Sequence, residues 1–377
     1  MKNISRLLSL ILAMQMTLSV IVFAEDAPVA VSEDILKKFE LFQALAICDT
    51  TDIDLHKQVT RAEFVNVAAN MLGLKKDILG KTGEEQFIDI QSNPFSGQIQ
   101  ALADLGIIRG VDAYQFKPDD AIDYQAAVSV LVSVLGYKQL AIASGGYPSG
   151  YFAIANSLGI LPKNSRNSEI LTWADMVELV VKCSDVDILM ISSMGYDTQY
   201  DTQKGTNFLT QYHDIKKVKG RMTDNGITEL TGPSTIGETS VKIDDMVIQE
   251  GATNAKIYLG REVIAYYKDN DSSYTLLYIE LNVSKDVSLE IAAKDIISTQ
   301  KTSIAYFEND KSTTVKLDRY ADVIYNNAAY PDYDAETFRI SNGKLTLVDS
   351  KDSGYYDIVL VEEFDTCFIN SVDAERE

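Results

Sequence analysis

The words Phe87-Ile88-Asp89-Ile90, Leu105-Gly106-Ile107-Ile108-Arg109-Gly110, Phe116-Lys117-Pro118-Asp119 and Leu135-Gly136-Tyr137 punctuate one stretch, residues 87–137. Two helical patterns lie between them. In the first, Ile99, Leu102 and Ala103 share a face; in the second, Ala127, Val130, Leu131, Val134 and Leu135 do the same, at amphipathic spacing. Gly106 suits a helix C-terminus, where the chain turns with positive φ, and Gly110 and Pro118 mark the connection. A single helix–loop–helix unit of this size cannot bury its own apolar face, so it implies neighbours of the same kind.

Two neighbours share its frame. Upstream stands Val59-Thr60-Arg61-Ala62-Glu63-Phe64, followed by Val67, Ala68, Met71 and Leu72. Downstream stands Leu171-Thr172-Trp173-Ala174-Asp175-Met176, followed by Leu179, Val180 and Cys183. The preceding helical patterns end in Leu45-Ala46-Ile47 and Leu158-Gly159-Ile160, parallel to Leu105-Gly106-Ile107. The Gly-Ile-Ile-Arg-Gly, Phe-Lys-Pro and Thr-Arg-Ala-Glu words together resemble an S-layer homology (SLH) repeat, a module that attaches exported bacterial proteins to wall polymers. The expected fold is therefore multidomain: an all-α module of three helical-hairpin repeats (32–75, 87–138 and 147–184, within 25–190), followed by an all-β region. Pseudo-threefold packing of the repeats is what the resemblance implies.

Working outward, Lys2 and Arg6, the apolar run from Leu7 to Val22 and the word Val22-Phe23-Ala24 predict a secretory signal over residues 1–24. No later run is long and apolar enough to span a bilayer. The 377 residues carry a net charge of −21 (55 acids, 34 bases), which argues against a nucleic-acid partner. It also requires any attraction to an anionic polymer to be local. The three cysteines are Cys48, Cys183 and Cys367; the first two fall where helices pack, and a Cys48–Cys183 disulfide stays open.

Residues 191–207 read as a linker and 208–377 as the β region, with a break near Asp286. Ile215 to Met222, then Asp224-Asn225-Gly226, then Ile227 to Leu230 predict a hairpin. Val241 to Ile248, Ala255 to Leu259, Val263 to Lys268 and Tyr274 to Leu281 continue the strand pattern. So do Ser303 to Phe307, Thr314 to Leu317, Val323 to Tyr325, Thr337 to Ile340, Lys344 to Val348, Tyr355 to Val361 and Cys367 to Val372. Asp349-Ser350-Lys351-Asp352-Ser353-Gly354 has a calcium loop's outline, but Lys351 at a ligand position argues for a plain turn.

No catalytic constellation emerges. His56 and His213 are the two histidines and fall in different regions, no zinc spacing occurs, and no Gly-x-Ser-x-Gly word is present. No catalytic residue, metal or cofactor is expected. Thr60 and Glu63 form a capping box, which accounts for both but not for Arg61. A guanidinium at a helix N-terminus is a good carboxylate receptor. The resemblance implies that Arg61 contacts pyruvylated wall polysaccharide. Tyr124 and Trp173 stand at the same frame position in the other two units, so two of three arginines are missing. Trp173 suits stacking on a sugar or packing between units. The polymer-binding set expected is Arg61, Trp173, Tyr124 and Arg109, with Thr60, Glu63, Gly106 and Gly110 as structural positions.

The resulting expectation is a non-enzymatic exported wall protein. It is anchored non-covalently to secondary cell-wall polysaccharide, located in the cell wall or S-layer, and displays a β-rich structural or interaction module, with other surface proteins as further partners. Two alternatives stand beside it: a wall-bound carbohydrate-active hydrolase with carboxylates in the β region, and a module that binds a protein partner in place of glycan.

Overall fold

A computed structural model describes residues 31–48, 53–74, 86–162, 169–193, 199–202 and 204–365. The expected signal over 1–24, the expected strand Cys367 to Val372 and parts of the expected linker lie outside these residues. Among the described residues the helices are α1 (Glu33–Ala44), α2 (Arg61–Met71), α3 (Ser96–Asp104), α4 (Tyr124–Val134), α5 (Lys138–Ala143), α6 (Ser149–Ser157), α7 (Trp173–Cys183) and α8 (Phe208–His213).

Helices α2, α4 and α7 start where their caps dictate. Thr60 accepts from the Glu63 amide and Glu63 accepts from the Thr60 amide, Asp123 accepts from the Ala126 amide, and Thr172 and Asp175 repeat the reciprocal box. The residues just before these caps are extended and buried: Val59, Ile122 and Leu171. They form a closed ring of backbone hydrogen bonds. Val59 N donates to Leu171 O (2.9 Å), Leu171 N to Ile122 O (2.8 Å), and Ile122 N to Val59 O (2.9 Å). The first amides of the three helices extend it: Arg61 N donates to Asp120 O, Tyr124 N to Glu169 O and Trp173 N to Lys57 O. Helix N-termini leave amides without intrahelical acceptors, and here extended backbone supplies them. Each bond is worth about 1 kcal/mol net, but a buried amide left unpaired costs more.

The expected all-α module of three helical-hairpin repeats is corrected by this arrangement. Extended chain, bridged at Gln58–Thr172, Thr60–Ala121 and Asp123–Ile170, forms its centre. The connecting elements are also unequal. A single helix, α3, precedes α4, whereas α5 and α6 are both inserted before α7. A hairpin of β1 (Leu189–Ser193) and β2 (Gln199–Thr202) then follows α7. Helical periodicity reports which face of a helix is buried; it is silent on backbone pairing between distant caps. Cys48 and Cys183 are buried and free, so the open disulfide is not formed.

The first large sheet comprises β3 (Ile215–Asp224), β4 (Thr228–Glu229), β5 (Gly232–Pro233), β6 (Ser240–Ile243), β7 (Met246–Gln249), β8 (Glu262–Asp269) and β9 (Tyr274–Leu281). Its order is β5-β4-β3-β6-β7-β9-β8, and β8 also pairs with β3, so the sheet closes on itself as a barrel. Met222, Val241, Ile243, Ile248, Val263 and Leu276 fill it. The second sheet comprises β10 (Ser288–Ala292), β11 (Ile296–Gln300), β12 (Ser303–Glu308), β13 (Lys311–Tyr325), β14 (Ala328–Ala329), β15 (Gly343–Val348) and β16 (Tyr356–Glu363). Its order is β10-β15-β16-β13-β12-β11, with β13 and β16 parallel.

Four strand expectations change, the first being Val241 to Ile248, which is a hairpin of β6 and β7 turning at Asp244-Asp245. Ala255 to Tyr258 and Glu336 to Phe338 are single 3-10 turns, because short apolar runs fit either conformation. Thr314 to Leu317 and Val323 to Tyr325 belong to one fifteen-residue strand. Asp349 accepts from the amides of Lys351, Ser353 and Gly354, which makes 349–354 a turn.

Candidate functional site

A groove of about 440 Å³ opens between the start of α2, the 106–111 connection, α4 and the inserted α5–α6 pair. Three cations line it, Arg61, Arg109 and Lys138, and no carboxylate does. Ser129 and Ser133 from α4 and Tyr147 and Tyr151 from the insertion complete its polar wall; Val65, Ile108 and Val130 are its apolar floor.

Arg61 is held from two sides. Its Nε donates to Phe116 O (2.9 Å), an Nη donates to Arg109 O (3.1 Å), and the guanidinium lies 4.4 Å from the Phe116 ring centroid. Its other Nη has no protein acceptor among the described residues. Burial lowers the guanidinium's pKa, partly offset by Asp120 and Asp123, yet an arginine stays charged. The sequence reading leaves Arg61 without a structural duty; the structure gives it one, tying α2 to the 109–116 loop.

That loop has a second lock. Asp89, from the Phe87-Ile88-Asp89 word, accepts from Phe116 N (2.9 Å) and Lys117 N (2.7 Å). Burial opposes its charge, but these two amides hold its carboxyl below the usual carboxylate range. Lys117 adopts φ +57°, a left-handed turn that a non-glycine residue takes only when such contacts fix it. Gly106 has φ +65° and ends α3, as expected. Gly110 has no positive φ; it is needed for space, since a Cβ there would sit 2.5 Å from Asp112 O, Gln115 O and the Phe87 ring. Lys138 Nζ donates to Gly106 O (2.6 Å), capping α3 from across the groove.

The expected binding residues do not all meet. Arg61 and Arg109 share the groove, and Arg109 is exposed. Tyr124 is buried and its hydroxyl donates to Asp175 (2.7 Å), between α4 and α7. Trp173 is only 5% exposed and borders a separate cavity of about 170 Å³ with Lys57, Glu63 and Asn66. Thr60 and Glu63 are taken up by their capping box and by Lys57 Nζ (2.9 Å). Sequence reasoning missed Lys138, Tyr147 and Tyr151, because an inserted helix pair carries no repeat frame to mark them.

Residues 86–128 match the family model described as the S-layer homology domain. The chain is 22% identical over 284 residues to the middle cell wall protein of Brevibacillus brevis, covering 68% of this chain and 26% of that protein. It is 24% identical over 285 residues to a cell surface protein of Thermoanaerobacter kivui (71% and 33%). It is 22% identical over 285 residues to a surface layer protein of Brevibacillus choshinensis (69% and 25%). The chain thus spans between a quarter and a third of the length of these relatives. No helix among the described residues is long and apolar enough to cross a membrane.

Proposed function

We propose that this SLH-domain protein of the cell wall and surface layer docks an acidic secondary wall polysaccharide in the groove between α2, α4 and α5–α6. The observation that carries the reading is the lining: three cations and no carboxylate, in a chain of net charge −21. Arg61 presents its unused Nη, Arg109 adds an exposed guanidinium and Lys138 a point charge, while the exposed Tyr147 offers its ring to a sugar face. A pyruvyl ketal, the acidic group implied by the resemblance, would supply the carboxylate. Tyr124 and Trp173 stay outside this contact set, and the sheets are a structural or interaction module carried at the surface. The relatives are named for the cell wall and surface layer, which accords with a non-enzymatic role.

Co-sedimentation with purified cell walls tests this. Arg109 makes no side-chain bond among the described residues, so Arg109→Gln removes charge without disturbing the fold. A charge-assisted contact of about 1.5–3 kcal/mol predicts roughly tenfold or greater weakening. Arg61→Lys keeps the charge but loses the fork and should weaken binding further. Arg61→Ala should also lower stability by about 2 kcal/mol through Phe116 O, Arg109 O and the Phe116 ring, so it is a poorer probe. Walls stripped of acidic substituents should lose binding to the parent chain. If Arg109→Gln and Arg61→Lys both sediment like the parent, the groove is not the wall-binding site.

A further inference from the structure

We infer that the second sheet carries its own saccharide-binding groove, built around Tyr320 and Tyr355 and separate from the helical groove. The starting observation is a break in the ladder. Along β13 and β16 the register passes from Leu317–Tyr356 to Asp322–Ile358, so four residues, 318–321, bulge out opposite one. Asp318 fixes the bulge by accepting from Tyr320 N (2.8 Å). Bulges re-aim side chains, and this one leaves Tyr320 77% exposed on a domain with a well-filled core.

Two cavities adjoin the bulge, of about 610 and 230 Å³, and they share Arg319 and Tyr320. Three of the four tyrosines that line them are paired with a cation: Lys316 lies 5.7 Å from the Tyr355 ring, Arg319 5.1 Å from the Tyr320 ring, and Lys301 5.0 Å from the Tyr333 ring, while Tyr330 packs on Tyr325. None of these three cations forms an ion pair with a described residue, whereas Lys351 beside them is bound to Asp357. Two carboxyls also border the cavities, Asp318 and Asp322. Asp318 is engaged by the bulge, and burial together with the neighbouring Asp357 pushes the Asp322 carboxyl upward. Tyr333 is buried at the floor of the smaller cavity, and its hydroxyl has no acceptor among the described residues.

The lining fits a sugar chain better than a protein segment. Leu317, itself buried, is the one aliphatic residue lining the larger cavity. Exposed tyrosines flanked by cation donors, with a single aliphatic side chain beside them in the larger cavity, suit pyranose faces and their hydroxyl or carboxylate oxygens. Pairing with a cation also restricts each ring before a ligand arrives, lowering the entropy lost on binding.

Titration calorimetry of the full chain tests the inference with two probes, neutral chitohexaose and carboxylated hexagalacturonate. Saturable binding is expected, tighter for hexagalacturonate. Tyr320→Ala combined with Tyr355→Ala should weaken both by about tenfold or more. Lys316→Gln combined with Arg319→Gln should weaken hexagalacturonate while sparing chitohexaose. Both variants change exposed side chains, and an unchanged melting curve would show that the fold is kept. Arg61→Lys lies in the helical groove, which would itself take a carboxylated sugar, so it is read with neutral chitohexaose alone; that affinity should stay as it is, which separates this result from wall docking. Absence of saturable binding by either probe, or equal affinities in the parent and the double tyrosine variant, overturns the inference. So does loss of chitohexaose binding in Arg61→Lys, which would place that probe in the helical groove. If neither sugar binds and the tyrosine variant instead abolishes self-association in sedimentation velocity, the surface binds a second copy of this chain.

Discussion

At the scale of single residues, the two loop glycines of the 106–110 connection separate two physical reasons for having no side chain. Gly106 needs a left-handed conformation, but a Cβ would meet only Lys138 Nζ at 3.4 Å. Gly106→Ala should cost about 1–2 kcal/mol, the usual left-handed penalty. Gly110 has an ordinary φ, yet a Cβ would press on two backbone oxygens and the Phe87 ring at 2.5 Å. None of these three contacts can swing away, so Gly110→Ala should cost about 3 kcal/mol. Chemical denaturation of both variants checks the order; equal losses would mean that the 110–115 loop relaxes freely. Both glycines were visible in the sequence as punctuation, and Gly106 for the right reason. The crowding at Gly110 was not, because it depends on Phe87 folding back across more than twenty residues. Arg61 shows the same limit: its residue type pointed to an anion, while its bonds to Phe116 O and Arg109 O come from a loop distant in sequence.

At the scale of elements, the 116–117 turn is positioned by one carboxylate, and this gives the helical region an acid-sensitive joint. Asp89 accepts from two loop amides, and Arg61 grips the same loop through Phe116 O. Despite the opposing effect of burial, the amides depress the Asp89 pKa in the folded state. Its contribution is therefore present above the unfolded aspartate value of about 3.9 and is lost as pH falls through the folded value. Asp89→Asn should lower stability at neutral pH and flatten part of the acid limb below about pH 4, as read from urea midpoints across pH. An acid limb as steep in the variant as in the parent would show that other carboxylates carry it. The Phe-x-Asp and Phe-Lys-Pro words were both legible, and so were the three helix caps. The backbone ring among Val59, Ile122 and Leu171 was not, because main-chain pairing leaves no signature in side-chain periodicity. The β region was legible where alternation runs long or a turn word such as Asp224-Asn225-Gly226 intervenes. It failed at Ala255 to Tyr258, where four apolar-spaced residues form a 3-10 turn.

At the scale of the whole molecule, the helical region and the first sheet share a core, although the change of periodicity near residues 191–207 suggests two units that fold alone. Phe208, Leu209, Ile215 and Tyr266 belong to the same buried cluster as Phe42, Phe64 and Trp173. Tyr278 on β9 donates to Lys37 O on α1, and Lys217 on β3 pairs with Asp185 beyond α7. The second sheet has its own core and meets the first through a smaller patch of Leu259, Ile324, Val348, Ile358 and Leu360. One ion pair guards that connection. Asp286, its side chain 3% exposed, receives Arg261 in a fork (Nη 2.7 Å, Nε 3.0 Å) together with Glu262 N and the Ser288 hydroxyl. Removing one partner of such a pair strands the other charge and typically costs about 3–5 kcal/mol. Asp286→Ala leaves Arg261 with Ser288 alone, so about 3 kcal/mol is expected, concentrated at the joint between the sheets. Calorimetry of the variant should resolve an early transition for 288–363, ahead of a later one in which helices and first sheet melt together. Limited proteolysis should cut within 282–287 before it separates the helices from the first sheet. If the helices part from the first sheet before the second sheet does, the shared core around Phe208 and Tyr266 is not what holds the molecule together.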